Sequence, residues 1–211
     1  VTRIKICGIN SEAAFDTAVE LGVDMVGFVF FQGSPRHVTA RQAAALSGRH
    51  EGGPLRVGLF VEPADAQIQA VLDDVHLDKL QIYASEPRCL EIRGRFGMRT
   101  GRAIGVGGTD DLPAEAAGLD CLVVEAKPPA GATRPGGNAV SIDWTITKNW
   151  QAPVPWLLAG GLTADNVAIA IAQSGAPGVD VSSGVESLPG VKSPALIRRF
   201  VANAKTVVSG Q

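Results

Sequence analysis

Arg3-Ile4-Lys5-Ile6-Cys7-Gly8 is the first regular stretch of the chain. Apolar and polar side chains alternate along it, as on a strand, and it ends in a thiol followed by glycine. On a strand Lys5 and Cys7 share one face, with Cys7 at the C-terminal rim. Asn10-Ser11-Glu12 then introduces a helix over Ala13 to Leu21, with Ser11 as the expected N-cap and Gly22 as the stop. Asp24-Met25-Val26-Gly27-Phe28-Val29-Phe30 reads as a second strand. Strand, helix and strand in succession form the unit from which parallel sheets are built.

The unit recurs to the end of the chain. Further strands are expected at Arg56–Val61, Leu77–Tyr83, Arg102–Val106, Leu122–Lys127, Trp156–Ala159 and Gly178–Ser182. Between and after them the spacing predicts helices at Thr39–Leu46, Pro63–Val71, Pro87–Phe96, Asp110–Ala117, Thr163–Gln173 (with Thr163 as N-cap) and Pro194–Val208. A long Pro/Gly-rich loop, 128–139, follows the sixth strand, and its length marks it as functional. A short turn at Asp143–Thr147 comes after it. Eight β/α units with no linker between them predict one α/β domain over residues 1–211, a closed (β/α)8 TIM barrel. An open doubly wound sheet would carry Gly-x-Gly-x-x-Gly at its first turn, which is missing here. At 211 residues the barrel is a trimmed one, since about 250 is usual.

The bulk composition excludes several classes of function. With 45% hydrophobic residues the chain can bury a full core. Nineteen basic residues against twenty-one acidic ones, with no basic block, argue against nucleic acid as a partner. No apolar run reaches the length of a membrane span, and the chain opens on a strand, so a cytoplasmic location is expected. Cys7, Cys89 and Cys121 are odd in number and lack metal-ligand spacing, which predicts neither a disulfide framework nor a metal site.

Barrel active sites sit at the C-terminal ends of the strands. Those ends carry Cys7, Arg36, Tyr83, Glu125, Gly160-Gly161 and Ser182-Ser183-Gly184. The last two groups follow strands seven and eight, where barrels bind phosphate through backbone N–H groups; taken singly, each is an ordinary tight turn. Arg36 carries a planar fork that fits a carboxylate, its plainer alternative being a solvated loop arginine. His37, His50 and His76 end no strand, so a histidine base is not expected. Cys7 and Glu125 are then the candidates for proton transfer, with Lys5 as a source of help for the thiolate. Against this stand a core role for Cys7, as expected of Cys89 and Cys121, and a surface pair between Glu125 and Lys127. Asp180 shares the inward face of strand eight with Ser182 and is expected to pair with Lys5.

The chain resembles the phosphoribosylanthranilate isomerases of tryptophan biosynthesis. Lys5-Ile6-Cys7-Gly8-Ile9 is similar to the family's opening motif, and Gly27-Phe28-Val29-Phe30 with Ser34-Pro35-Arg36 to its second strand and loop. Gly58-Leu59-Phe60-Val61, Gly160-Gly161-Leu162 with Asn166, and Val179-Asp180-Val181-Ser182-Ser183-Gly184-Val185-Glu186 match as well. The resemblance implies an Amadori rearrangement of N-(5′-phosphoribosyl)anthranilate to the 1-deoxyribulose 5-phosphate aminoketose, without cofactor or metal. It implies Cys7 as general base, Glu125 at the position of the general acid and Arg36 on the anthranilate carboxylate. Gly160, Gly161, Ser182, Ser183 and Gly184 would bind substrate, with Lys5, Gln81 and Asp180 behind the reacting groups. The expected partner is a small phosphorylated substrate, and the protein a monomer or homodimer. Three positions depart from the pattern. Glu125 replaces an aspartate, Gln81-Ile82-Tyr83-Ala84 stands where Gln-Leu-His-Gly is usual, and Ala139 replaces a glycine. The alternatives are a phosphate-ligand binding barrel impaired in catalysis by those changes, and a sugar-phosphate isomerase of histidine biosynthesis. The latter places aspartates at strands one and five, where this chain has Cys7 and Ile104-Gly105-Val106.

Overall fold

The structure, a computed structural model, describes residues 2–127, 131 and 141–206. Eight parallel strands close into a barrel in sequence order: β1 (Arg3–Cys7), β2 (Met25–Val29), β3 (Leu55–Val61), β4 (Lys79–Tyr83), β5 (Arg99–Val106), β6 (Cys121–Ala126), β7 (Trp156–Leu158) and β8 (Gly178–Val181). The expected (β/α)8 barrel is the observed one. Closure runs through β1 and β8, in register from Arg3 opposite Gly178 to Ile6 opposite Val181.

Alternation along the strands divides the apolar residues into two cores. Ile4 and Ile6 of β1, Phe28 of β2 and Leu80 and Ile82 of β4 face outward and are buried beneath the helices. Met25, Val57, Ala103, Val123 and Leu157 face inward and form a layer inside the barrel. Cys7, Val29 and Leu59 form a smaller cluster nearer the C-terminal rim. Lys5 and Cys7 therefore point into the barrel while their neighbours anchor the helical coat.

The helices are α1 (Glu12–Glu20), α2 (Ala40–Ser47), α3 (Asp65–Asp74), α4 (Glu86–Phe96), α5 (Val167–Ser174) and α6 (Pro194–Thr206). Thr39 caps α2 through a reciprocal pair with Gln42, and Ser85 accepts from Arg88 N at the start of α4. Ser11 holds the N-cap position of α1 without a side-chain bond. Among the described residues no helix is long and apolar enough to cross a membrane.

Three details differ from the sequence reading. The helix expected at Asp110–Ala117 is only a 3-10 turn, Thr109–Asp111. Pro113 lies within that segment, and its carbonyl accepts from Trp150 Nε1 at 3.0 Å, which holds the chain in an irregular path. The helix after β7 starts at Val167, and Asn166 rather than Thr163 is its N-cap. The Asn166 side chain accepts from Thr163 N (2.7 Å) and donates to Gly161 O (2.9 Å), which holds the preceding turn open. Finally, an unanticipated antiparallel hairpin, β9 (Glu186–Leu188) and β10 (Val191–Lys192), lies between β8 and α6. Of the loop 128–139 only residue 131 is among the described residues, so Ala139 and the loop's functional role lie outside them, as does the end of the helix expected to reach Val208.

Candidate active site

One cavity opens at the C-terminal end of the barrel, and Cys7, Arg36, Tyr83, Glu125, Gly160, Gly161, Asp180, Ser182 and Ser183 line it. Lys5, Gln81 and Gly184 stand behind this wall. The sequence candidates therefore fall into a lining set and a supporting set.

Lys5 lies one turn of the β1 pleat below Cys7 and is 1% exposed. Its Nζ donates to Gln81 Oε1 (2.8 Å) and to Asp180 Oδ2 (2.9 Å), which the β1–β8 register sets directly beside Lys5. Burial disfavours the ammonium, but the adjacent Asp180 carboxylate, together with the Cys7 sulfur in its thiolate form, outweighs it and holds Lys5 above its ordinary value. Cys7 is buried, and burial pushes its thiol above the ordinary value of 9.0. Lys5 draws it back down, Asp180 pushes it up again, and Lys192 adds a second downward pull. Gly27, the β2 partner of Cys7, makes room for the sulfur: a Cβ there would come within 2.9 Å of Sγ.

Glu125 is buried on β6. Lys127 is bonded elsewhere, with its Nζ 2.7 Å from Asp111 Oδ1 on the surface. Tyr83 stands close to Glu125 across the cavity. Its phenol is held well above its ordinary value, first by burial and then by the neighbouring Glu125 carboxylate. Two of the departures from the family pattern thus face each other.

Arg36 is buried, not a solvated loop residue. Its Nε donates to Glu186 Oε1 (2.7 Å) and its Nη2 to Glu186 Oε2 (2.9 Å), a bidentate pair that ties the β2 loop to the hairpin. Lys192 Nζ donates to the same carboxylate at 2.7 Å and to Ser182 O at 2.9 Å. Neither Glu186 nor Lys192 was anticipated as part of the site. The signal for them was Pro189-Gly190, a turn dipeptide that brings the two residues across from each other.

The β7 and β8 ends interlock. Gly160 and Gly161 have φ of 85° and 63°, which other residues seldom adopt. Gly184 has no room for a side chain, because a Cβ would land on the Leu162 carbonyl oxygen. These contacts bring bare backbone to the rim beside the Ser182 and Ser183 hydroxyls, an arrangement suited to an anion. The cavity thus joins a thiol, a carboxyl, a guanidinium and an anion-binding rim. Among the described residues no group of three or more His, Cys, Asp or Glu side chains could hold a metal ion.

Known proteins are similar to this chain in sequence and fold over its whole length. The family model described as N-(5′phosphoribosyl)anthranilate (PRA) isomerase matches residues 4–203. An N-(5′-phosphoribosyl)anthranilate isomerase of Acidiphilium cryptum is 52% identical over 204 residues, covering 97% of this chain and 98% of its own. The crystal structure of phosphoribosyl anthranilate isomerase from Thermotoga maritima superposes with a TM-score of 0.84 at 31% identity, over 98% of this chain and all of the other. A further crystal structure, of a phosphoribosyl anthranilate isomerase in complex with reduced 1-(o-carboxyphenylamino)-1-deoxyribulose 5-phosphate, gives a TM-score of 0.82 at 30% identity, over 98% and 100% of the two chains. With fold and sequence in agreement from β1 to α6, the chain belongs to the N-(5′-phosphoribosyl)anthranilate (PRA) isomerase family.

Proposed function

We propose that the protein catalyses the Amadori rearrangement of N-(5′-phosphoribosyl)anthranilate, with Cys7 as general base and Glu125 as general acid. The observation that carries this reading is that both groups line one cavity with Arg36 and the glycine-rich β7 and β8 ends. Glu125, in its protonated form, gives its proton to the furanose ring oxygen as the bond from that oxygen to C1′ breaks. The anilino nitrogen supplies the electron pair, which leaves an iminium at C1′. Cys7, as thiolate, removes the C2′ proton; the C2′–H electrons form the C1′–C2′ double bond and neutralise the nitrogen. Tautomerisation of this enolamine gives the aminoketose. The product is an isomer of the substrate, so the step needs no redox partner.

The substrate's two anionic ends fit the two ends of the cavity. The backbone of Gly160 and Gly161 and the hydroxyls of Ser182 and Ser183 suit the phosphate, and Arg36 suits the anthranilate carboxylate. Each proton transfer contributes about 10²–10⁴-fold to the rate. The test is turnover: purified protein mixed with phosphoribosylanthranilate should abolish the anthranilate-type fluorescence within minutes. Binding without turnover would instead support the impaired binding barrel, in which Glu125 does not deliver its proton.

A further inference from the structure

The hairpin beside Arg36 carries two buried charges, Glu186 and Lys192, to which the rearrangement assigns no proton transfer. The Glu186 carboxylate accepts from four donors: Nε and Nη2 of Arg36, Nζ of Lys192, and the backbone N of Gly190 at 3.1 Å. Those bonds and charges more than offset burial, and hold Glu186 down at about 2 against an ordinary 4.5. The side chains of Glu186 and Lys192 are 4% and 0% exposed. Written with ordinary charges, Arg36, Glu186 and Lys192 carry one positive charge more than negative in a buried cluster, a surplus that an incoming anion would compensate.

The arrangement also fixes which part of Arg36 meets that anion. Its stem lies against Gly8, where a Cβ would come within 2.9 Å of Arg36 Cδ, so the side chain is placed relative to Cys7. Its Nε–Nη2 edge is filled by Glu186, whereas Nη1 makes no hydrogen bond to any described residue, and Arg36 lines the cavity. The hairpin turn is itself seated, since Asn10 Nδ2 donates to Gly190 O at 2.8 Å and a Cβ on Gly190 would strike the Pro35 carbonyl oxygen.

We propose that Glu186 and Lys192 are positioning residues that grip one edge of the Arg36 guanidinium and turn its free end toward the substrate's aromatic carboxylate, and so set selectivity for a carboxylated ring. The inference rests on the reading of Arg36 as the carboxylate contact. Its test is by equilibrium binding, so that it does not depend on turnover. Calorimetry would compare reduced 1-(o-carboxyphenylamino)-1-deoxyribulose 5-phosphate with the same compound lacking the ring carboxylate. Wild type should prefer the carboxylated ligand, and Glu186→Gln and Lys192→Met should each cut that preference by about tenfold, as expected for a misaimed charged hydrogen bond. Affinity for the carboxylate-free ligand should stay unchanged in Glu186→Gln, whereas for Lys192→Met, which also removes the Nζ bond to Ser182 on the anion rim, the ratio between the two ligands is what is read. In an Arg36→Met background the same substitutions should have no further effect on the preference. An equal loss for both ligands would reduce the hairpin to a structural role, and an unchanged preference would overturn the proposal. If Glu186→Gln does not fold, Lys192→Met decides it. An inactive wild type that keeps the ligand preference would overturn the isomerase reading alone.

Discussion

A thiol shut away from water is a poor base unless something nearby favours its anion. At Cys7 burial acts against the thiolate, Asp180 joins it, and the ammonium groups of Lys5 and Lys192 oppose both. The net displacement is upward from 9.0, so at neutral pH only a small fraction of Cys7 is thiolate. A base works in its deprotonated form, and its share grows tenfold per pH unit below the pKa. With Cys7 as base and the titrating acid removed, as in Glu125→Gln, the residual kcat/KM should therefore climb with unit slope from about pH 6 and still be rising at about pH 8.5. Initial rates by fluorescence check this, and a plateau below about pH 8 would assign the base to another group. Cys7→Ala should lower kcat by at least about 10²-fold with circular dichroism unchanged. An unaltered rate would exclude Cys7.

Among the elements, the glycine-rich ends of β7 and β8 leave the least room for change. Gly184→Ala would press a methyl group against the Leu162 carbonyl and part the two loops that form the anion rim. The expected result is a loss of about 10²-fold in kcat/KM, as for other small misplacements, carried mainly by KM. Steady-state kinetics beside a thermal melt separates this from loss of fold. The strands were the most legible elements in the sequence because their signal is local: Ile4 and Ile6 alternate with Lys5 and Cys7 whatever the rest of the chain does. Thr163 was misread because Asn166, three residues on, takes its backbone N–H and starts the helix later. The site was legible where it lay on strand ends, as at Cys7 and Glu125, and hidden where it depended on long-range pairing. Arg36 and Glu186 lie 150 residues apart, and no periodicity announces their contact.

For the whole molecule, barrel closure and the interior ion pair are one event. Lys5 and Asp180 face each other across the β1–β8 seam, and Asp180 provides the carboxylate that compensates the buried ammonium. Asp180→Asn should cost about 3–5 kcal/mol, since it strands a buried charge, and guanidinium titration would show the shift. Replacing both members, as in Lys5→Met with Asp180→Leu, should recover much of that stability. A loss below about 1 kcal/mol for Asp180→Asn would mean the ammonium finds other compensation.

That seam also sets an order in time. Cys7 and Lys5 leave the ribosome well before Asp180 and Lys192, since Asp180 lies 175 residues beyond Lys5. An unfinished chain carries the thiol without the seam carboxylate that anchors Lys5 or the second cation that favours its anion. Such a nascent polypeptide presents an ordinary thiol in water, and Cys7 acquires its buried setting between Lys5 and Lys192 only when β8 docks against β1.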